Sequence, residues 1–170
     1  MKKYIFVDLD ETLIHANYSG TGDPRKAMAR SQYEFIKLDD EWYKALLRPS
    51  ASAILELCRS KGYKVCMLTM AIESYAREWN KTYNFGFKDD EIYAREDLYS
   101  GSLMLSHFPD GKTYLIDNLV KETNTIKLNF LRPISEKGIT NYYRITDFYG
   151  REDPEIAKKE LAEISEFLNQ

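Results

Sequence analysis

Only two of the 170 residues are cysteines, Cys58 and Cys66, and neither stands in a Cys-x-x-Cys pair or beside a histidine at ligand spacing. That excludes a disulfide framework and a zinc scaffold, and leaves two small buried hydrophobes in a reducing compartment. No run approaches the ~18 apolar residues of a membrane span, and the first residues turn acidic too soon for a signal-peptide core. No membrane partner is expected, and the expected location is cytoplasmic. An excess of positive charge is also missing, since 24 Lys and Arg against 27 Asp and Glu leave a net charge of −3. General nucleic-acid binding is therefore not expected, and any polyanionic partner must be gripped locally. Internal repeats, low-complexity tracts and a dividing linker are absent, so residues 1–170 read as one domain.

What is present is the balance of a folded globular chain, with 44% apolar and 30% charged residues. Tyrosine is abundant at 13 residues, which suits either a filled core or an aromatic surface. Tyr4–Val7 is a short, continuous apolar run stopped by Asp8; Lys64–Leu68 is stopped by Thr69, and Tyr114–Ile116 by Asp117. Such runs suit strands buried on both faces, hence a parallel sheet. Helices are expected from Ser50 to Lys61, with Ser50 as N-cap and Gly62 as terminator, from Ile72 to Tyr83, and from Asp153 to Leu168. The alternation is that of an α/β fold, a Rossmann-like doubly wound parallel sheet. Ligands collect beyond the carboxyl ends of such strands, and all three candidate strands end on a polar residue.

Residues 16–47 interrupt the alternation. Ala16–Arg30 reads as a loop, and Tyr33–Leu38 with Trp42–Leu47, separated by Asp39–Glu41, reads as a β-hairpin. This insertion is too small for a helical cap, so an open, shallow cleft is expected.

Asp8-Leu9-Asp10-Glu11-Thr12 directly follows the first strand. At a strand-to-loop transition two carboxylates can converge on one small site. A carboxylate next to a divalent cation that neutralises a phosphate can attack phosphorus, while a second protonates the departing alcohol and then activates water. An acidic pair alone also makes an ordinary surface turn. Its position after a buried strand is the more specific feature.

Residues Phe6–Ile14 resemble the first motif of the haloacid dehalogenase superfamily, and the Asp-Glu-Thr-Leu form is similar to the FCP/SCP-type phosphatases that act on the carboxy-terminal domain of RNA polymerase II. Further matches follow in order at Leu47-Arg48-Pro49, Leu68–Ala71, Ser74–Ala76 and Leu115–Asn118, over about residues 3–120, with a final strand expected at Ile126–Phe130. The resemblance implies a phosphatase with Asp8 as phosphorylated nucleophile and metal ligand. It implies Asp10 as general acid/base, with its main-chain carbonyl on the metal. Thr69 corresponds to the hydroxyl on the transferring phosphoryl group, and Asp117 with Asn118 completes a Mg²⁺ shell. Thr12, Met70 and Lys112 are candidate substrate-binding positions.

Two features depart from the family pattern. The family's Asp-Asn-Ser-Pro continuation is replaced by Leu119-Val120, and no lysine stands at an obvious third-motif position. The cation that should stabilise phosphoryl charge is expected to be Arg95, at the carboxyl end of a short strand Glu91–Ala94. Lys112 is the alternative, although it precedes its strand, and a basic residue of the insertion is a third option. His15 could contact a leaving group or serve as a hydrogen-bonded neutral residue. An open cleft favours a phosphoprotein; a nucleotide or a nucleic-acid end is possible, with Arg25, Lys26 and Arg30 as flanking cations. A small-molecule phosphatase, a phosphotransferase and a non-catalytic phosphate-binding module are the competing readings.

Overall fold

The computed structural model describes residues 1–101 and 108–170. In chain order its first elements are β1 (Lys2–Val7), β2 (Ile14–Gly20), β3 (Glu34–Leu38), β4 (Glu41–Leu47) and α1 (Ala51–Ser60). These are followed by β5 (Lys64–Leu68), α2 (Glu73–Tyr83), β6 (Ile92–Tyr93), α3 (Arg95–Ser100) and β7 (Gly111–Asp117). The last are α4 (Thr125–Leu131), β8 (Ser135–Arg144) and α5 (Pro154–Phe167).

Five strands form one sheet in the order β6-β5-β1-β7-β8, every pairing parallel. The apolar runs read from the sequence are its centre, and both faces are covered. Ile5, Val7, Val65, Met67, Tyr114 and Ile116 face α1, α2 and α5, packing with Ile54, Cys58, Trp79 and Ile164. The alternate residues Tyr4, Phe6, Cys66, Leu68 and Leu115 face α3 and α4, with Leu98, Phe130 and Leu131. This period-2 split between two cores is why those strands look continuously apolar in sequence.

The insertion forms its own three-stranded antiparallel sheet, β2-β4-β3. The expected hairpin is β3–β4, closing through Asp39 and Asp40, with Asp39 at φ 54°. The expectation that Ala16–Arg30 is all loop is corrected. Its first residues continue β2, which pairs with β4 from Ile14↔Leu47 to Gly20↔Trp42. β2 is polar and half solvated, so its strand character comes from its partner rather than its own pattern.

Two further expectations are corrected. Ile126–Phe130 lies in α4, and the final strand is β8. A run of five residues does not distinguish a buried helix from a strand by periodicity alone, and β8 is hidden because it is a largely polar edge strand. Ser50 does not cap α1 with its side chain; its N–H and hydroxyl both donate to the Glu152 carboxylate. Asp153 does cap α5, accepting from Glu155 N at 2.8 Å and Ile156 N at 3.4 Å. Among the described residues no helix is long and apolar enough to cross a membrane.

Candidate active site

Asp8 leaves β1 beside Asp117, the last residue of β7, and Thr69 follows β5 on the other side. Adjacent parallel strands lie about 4.8 Å apart, so the three polar strand ends form one row at the carboxyl edge. All three are buried.

The loop after β1 is tight. Leu13 N donates to Leu9 O at 2.8 Å and Glu11 N to Ile14 O at 2.8 Å, while Leu9 and Leu13 are driven into the core. Glu11 sits at φ 61°, a left-handed conformation costing a non-glycine residue on the order of 1 kcal/mol. Neighbours hold it there. Phe148 N donates to Glu11 O at 2.8 Å, and buried Arg48 donates through Nε to Thr12 O and through Nη2 to Glu11 O. Arg48 also donates to Thr146 O and, at 2.8 Å, to Glu152. The Leu47-Arg48-Pro49 match is thus a brace between the loop after β1 and the segment after β8.

Arg48 fixes the loop that returns Thr12 to Asp8. Thr12 Oγ1 donates to Asp8 Oδ2 at 2.9 Å and lies 3.4 Å from Asn118 Oδ1. Asn118 Nδ2 donates to Asp147 Oδ1 at 2.8 Å. A carboxylate only accepts, so that bond leaves the Asn118 oxygen turned toward the site. Asp10 Oδ1 accepts from Tyr75 OH at 2.8 Å. Thr69 Oγ1 accepts from Ala71 N at 3.1 Å, which leaves the hydroxyl hydrogen free to donate outward.

A buried cation not foreseen in the sequence lies against two of these carboxylates. Lys127, on α4, donates through Nζ to Asp8 Oδ1 and to Asp117 Oδ2, each at 2.7 Å. Neither predicted cation reaches those carboxylates. Arg95 is exposed at the start of α3, its Nε donating to Met70 O at 2.8 Å. Lys112 is the second residue of β7 and therefore lies at the amino edge of the sheet, beside Glu136 and Lys137. Among the described residues no basic side chain of the insertion pairs with Asp8 or Asp117, and Arg25 is engaged with Asp23 and stacked over Trp42. Lys127 had a visible signal, a lone lysine inside Ile-Lys-Leu-Asn-Phe-Leu. The expectation of a strand there conceals it, since in a helix the lysine can turn into the site.

Met70 packs its side chain against the α3–α4 core, so its main chain is what borders Thr69. His15 Nδ1 lies 2.7 Å from Glu11 Oε2 and its Nε2 lies 3.2 Å from Asn17 Nδ2, so its hydrogen-bond partners lie outside the row of strand ends, and its ring meets Tyr149 edge-on.

Burial pushes the Asp8 carboxyl up to about 7, with Asp117 adding to the rise and Lys127 and Thr12 opposing it. Burial also raises Asp10, with the Tyr75 hydrogen bond acting the other way. For Lys127 burial works against the charge, but Asp8 and Asp117 outweigh it and hold the ammonium above its ordinary range. The cluster sets two acidic groups, Asp8 and Asp117, against one ammonium, and a further positive ion would favour the ionised form of both. Among the described residues no three His, Cys, Asp or Glu side chains form a ready-made metal cage. Two carboxylates and an amide oxygen are nevertheless a fitting partial shell for Mg²⁺, which binds few protein oxygens and keeps several waters.

An acidic loop after the central strand, a hydroxyl after its neighbour and an Asp-Asn pair after the next define a phosphatase of the haloacid dehalogenase superfamily. The sequence matches the family described as NLI interacting factor-like phosphatase over residues 3–170, and the chain belongs to that family. Among solved structures it is similar to a variant of the fission yeast RNA polymerase II CTD phosphatase Fcp1 bound to beryllium fluoride. That match has 21% identity and a TM-score of 0.50, covering 97% of this chain and 51% of that one. A second structure, of Fcp1 described as an essential RNA polymerase II CTD phosphatase, matches with 21% identity and a TM-score of 0.55, covering 97% and 49%. At that identity the likeness carries the fold, and the chain spans about half the length of either relative. No curated protein matches it.

Proposed function

We propose that this phosphatase is a Mg²⁺-dependent phosphomonoesterase working through an aspartyl-phosphate on Asp8. The observation that carries the reading is the buried Lys127 ammonium, 2.7 Å from both Asp8 and Asp117. It supplies the third-motif cation whose absence from the expected position left a non-catalytic binding module open.

Asp8 attacks phosphorus with one carboxylate oxygen while the Thr12 hydroxyl steadies the carboxylate through Oδ2. Lys127 and the Thr69 hydroxyl stabilise the charge on the phosphoryl oxygens. As the P–O bond to the leaving group breaks, Asp10 gives its proton to the departing oxygen; burial favours the protonated acid that this step needs. Asp10 then takes a proton from the water that cleaves the Asp8–phosphorus bond. Mg²⁺, held by Asp8, Asp117, Asn118 and the Asp10 main-chain carbonyl, would neutralise phosphate charge during the attack.

The substrate we infer is a phosphoprotein. The inserted segment is a small sheet rather than a helical cap, which suits a phosphate carried on a larger molecule. The relatives similar in structure are described as phosphatases of the RNA polymerase II CTD. Two free, buried cysteines suit a cytoplasmic setting.

The test is hydrolysis of p-nitrophenyl phosphate with and without Mg²⁺ by wild type and Asp8→Asn, followed by a panel of phosphopeptides, nucleotides and 3′- or 5′-phosphorylated oligonucleotides. Metal-dependent turnover that falls by roughly 10³-fold or more in Asp8→Asn supports the mechanism. Full activity in that variant sinks it. Faster turnover of nucleotides or oligonucleotide ends than of every phosphopeptide overturns the substrate reading.

A further inference from the structure

The abundance of tyrosine in the sequence has a focus in the fold. Tyr75, Trp79 and Tyr83 stand four residues apart along α2, on one helical face, and that face meets the insertion. Tyr83 OH donates to Ala45 O of β4 at 2.8 Å, and the Trp79 and Tyr83 rings stack at 5.5 Å. Trp79 is fully buried and meets the Tyr75 ring edge-on at 6.2 Å. From the other side Tyr43 of β4 meets Tyr75 edge-on at 5.7 Å, and Tyr18 of β2 meets Tyr43 at 5.6 Å. A row of rings thus runs from the exposed face of the insertion to Tyr75, whose hydroxyl ends on Asp10 Oδ1 at 2.8 Å.

We propose that Tyr75 is the positioning residue of the general acid/base. Its hydroxyl pins Oδ1 of Asp10 and leaves Oδ2 to exchange the proton with the substrate oxygen, while Tyr43 fixes where Tyr75 points. Oδ2 takes no hydrogen bond among the described residues, so it is the oxygen available to the leaving group. A carboxylate held at one oxygen presents the other in a single orientation, whereas an unheld one samples its broad terminal torsion. The ring has little freedom of its own, because Trp79 and Tyr43 hold two of its edges. The insertion therefore does more than border the cleft: it braces the proton donor through aromatic contacts, each of modest strength.

This inference rests on the reading of Asp10 as acid/base, and the experiment separates the two. A nitrophenolate departs without being protonated, whereas an alkyl alkoxide needs the proton. The quantity to measure is kcat/KM, which covers phosphoryl transfer to Asp8, on p-nitrophenyl phosphate and on the alkyl phosphomonoester turned over fastest in the panel above. Asp10→Asn must lose far more on the alkyl substrate than on the aryl one. If it loses equally on both, the acid/base reading fails first.

Tyr75→Phe keeps the ring between Tyr43 and Trp79, so its melting temperature should stay near that of wild type. It should lose roughly tenfold or more on the alkyl substrate and less than about threefold on the aryl one. In an Asp10→Asn background it should cost nothing further. Tyr43→Leu should show the same pattern in weaker form. Equal losses on both substrates, no loss on either, or a full additional loss in the Asp10→Asn background would overturn the assignment. A Tyr43→Leu variant with unchanged kinetics would remove the insertion from it.

Discussion

Lys127 and Arg48 are both buried cations with about 1% of their surface exposed, yet they hold opposite kinds of neighbours. Lys127 donates to two side-chain carboxylates, Asp8 and Asp117, which retain lone pairs for other cations and for substrate. Arg48 spreads its planar fork over the carbonyls of Glu11, Thr12 and Thr146 and the carboxylate of Glu152. A compact ammonium between carboxylates leaves a cluster that can exchange partners, whereas a guanidinium spent largely on backbone carbonyls ties chain segments together. Burial of a charge does not by itself mark a site; the spare capacity of its partners does.

The comparison breaks or holds most visibly at Lys127. Lys127→Met should lower kcat by roughly 10²–10³-fold, since the proposed mechanism uses its ammonium to stabilise charge on the phosphoryl oxygens. It should also lower metal-free stability by about 3–5 kcal/mol, because Asp8 and Asp117 then face each other uncompensated. Added Mg²⁺ should recover part of that loss, as a ligand of the folded state alone does. Arg48→Met should cost a similar stability, about 3–5 kcal/mol, through the stranded Glu152. Mg²⁺ should raise its melting temperature no more than it raises that of wild type. Equal rescue of both variants by Mg²⁺ in thermal melts would erase the distinction between exchangeable cluster and brace.

The smallest effect concerns a buried titratable group with no ion-pair partner. Burial pushes the Cys58 thiol up to about 12, with nearby Arg59 acting the other way, and burial raises Cys66 as well. The folded state therefore holds the Cys58 proton more tightly than the unfolded chain, whose thiol titrates near 9.0. This contribution to stability is complete below about 9 and is lost as the pH rises toward about 12. At pH 8 neither thiol should be alkylated in the native protein, while both should label in denaturant. Rapid native labelling would show that burial does not control their reactivity.

What could be read along the chain was whatever rests on residues close together in it. Alternation of apolar runs and helical periods determined the parallel sheet, because each element's burial pattern is imposed by its own local geometry. Polar residues at the ends of those runs put Asp8, Thr69 and Asp117 at one edge, because a strand carries its terminal residue to the same edge as its parallel neighbours, while Asp10 follows from the acidic motif after the first strand and Asn118 from the family resemblance. The third strand of the insertion and β8 were not legible, since half-polar strands take their order from a partner. Nor were the contacts that complete the site. Lys127 meets Asp8 across 119 residues, Arg48 meets Glu152 across 104, and Tyr75 meets Asp10 across 65. A lysine in an apolar helix, an arginine before a proline and a tyrosine in an amphipathic helix each have ordinary local explanations. Only the packed chain decides which carboxylate each one meets, because a buried donor takes the acceptor that the whole fold brings within hydrogen-bonding distance.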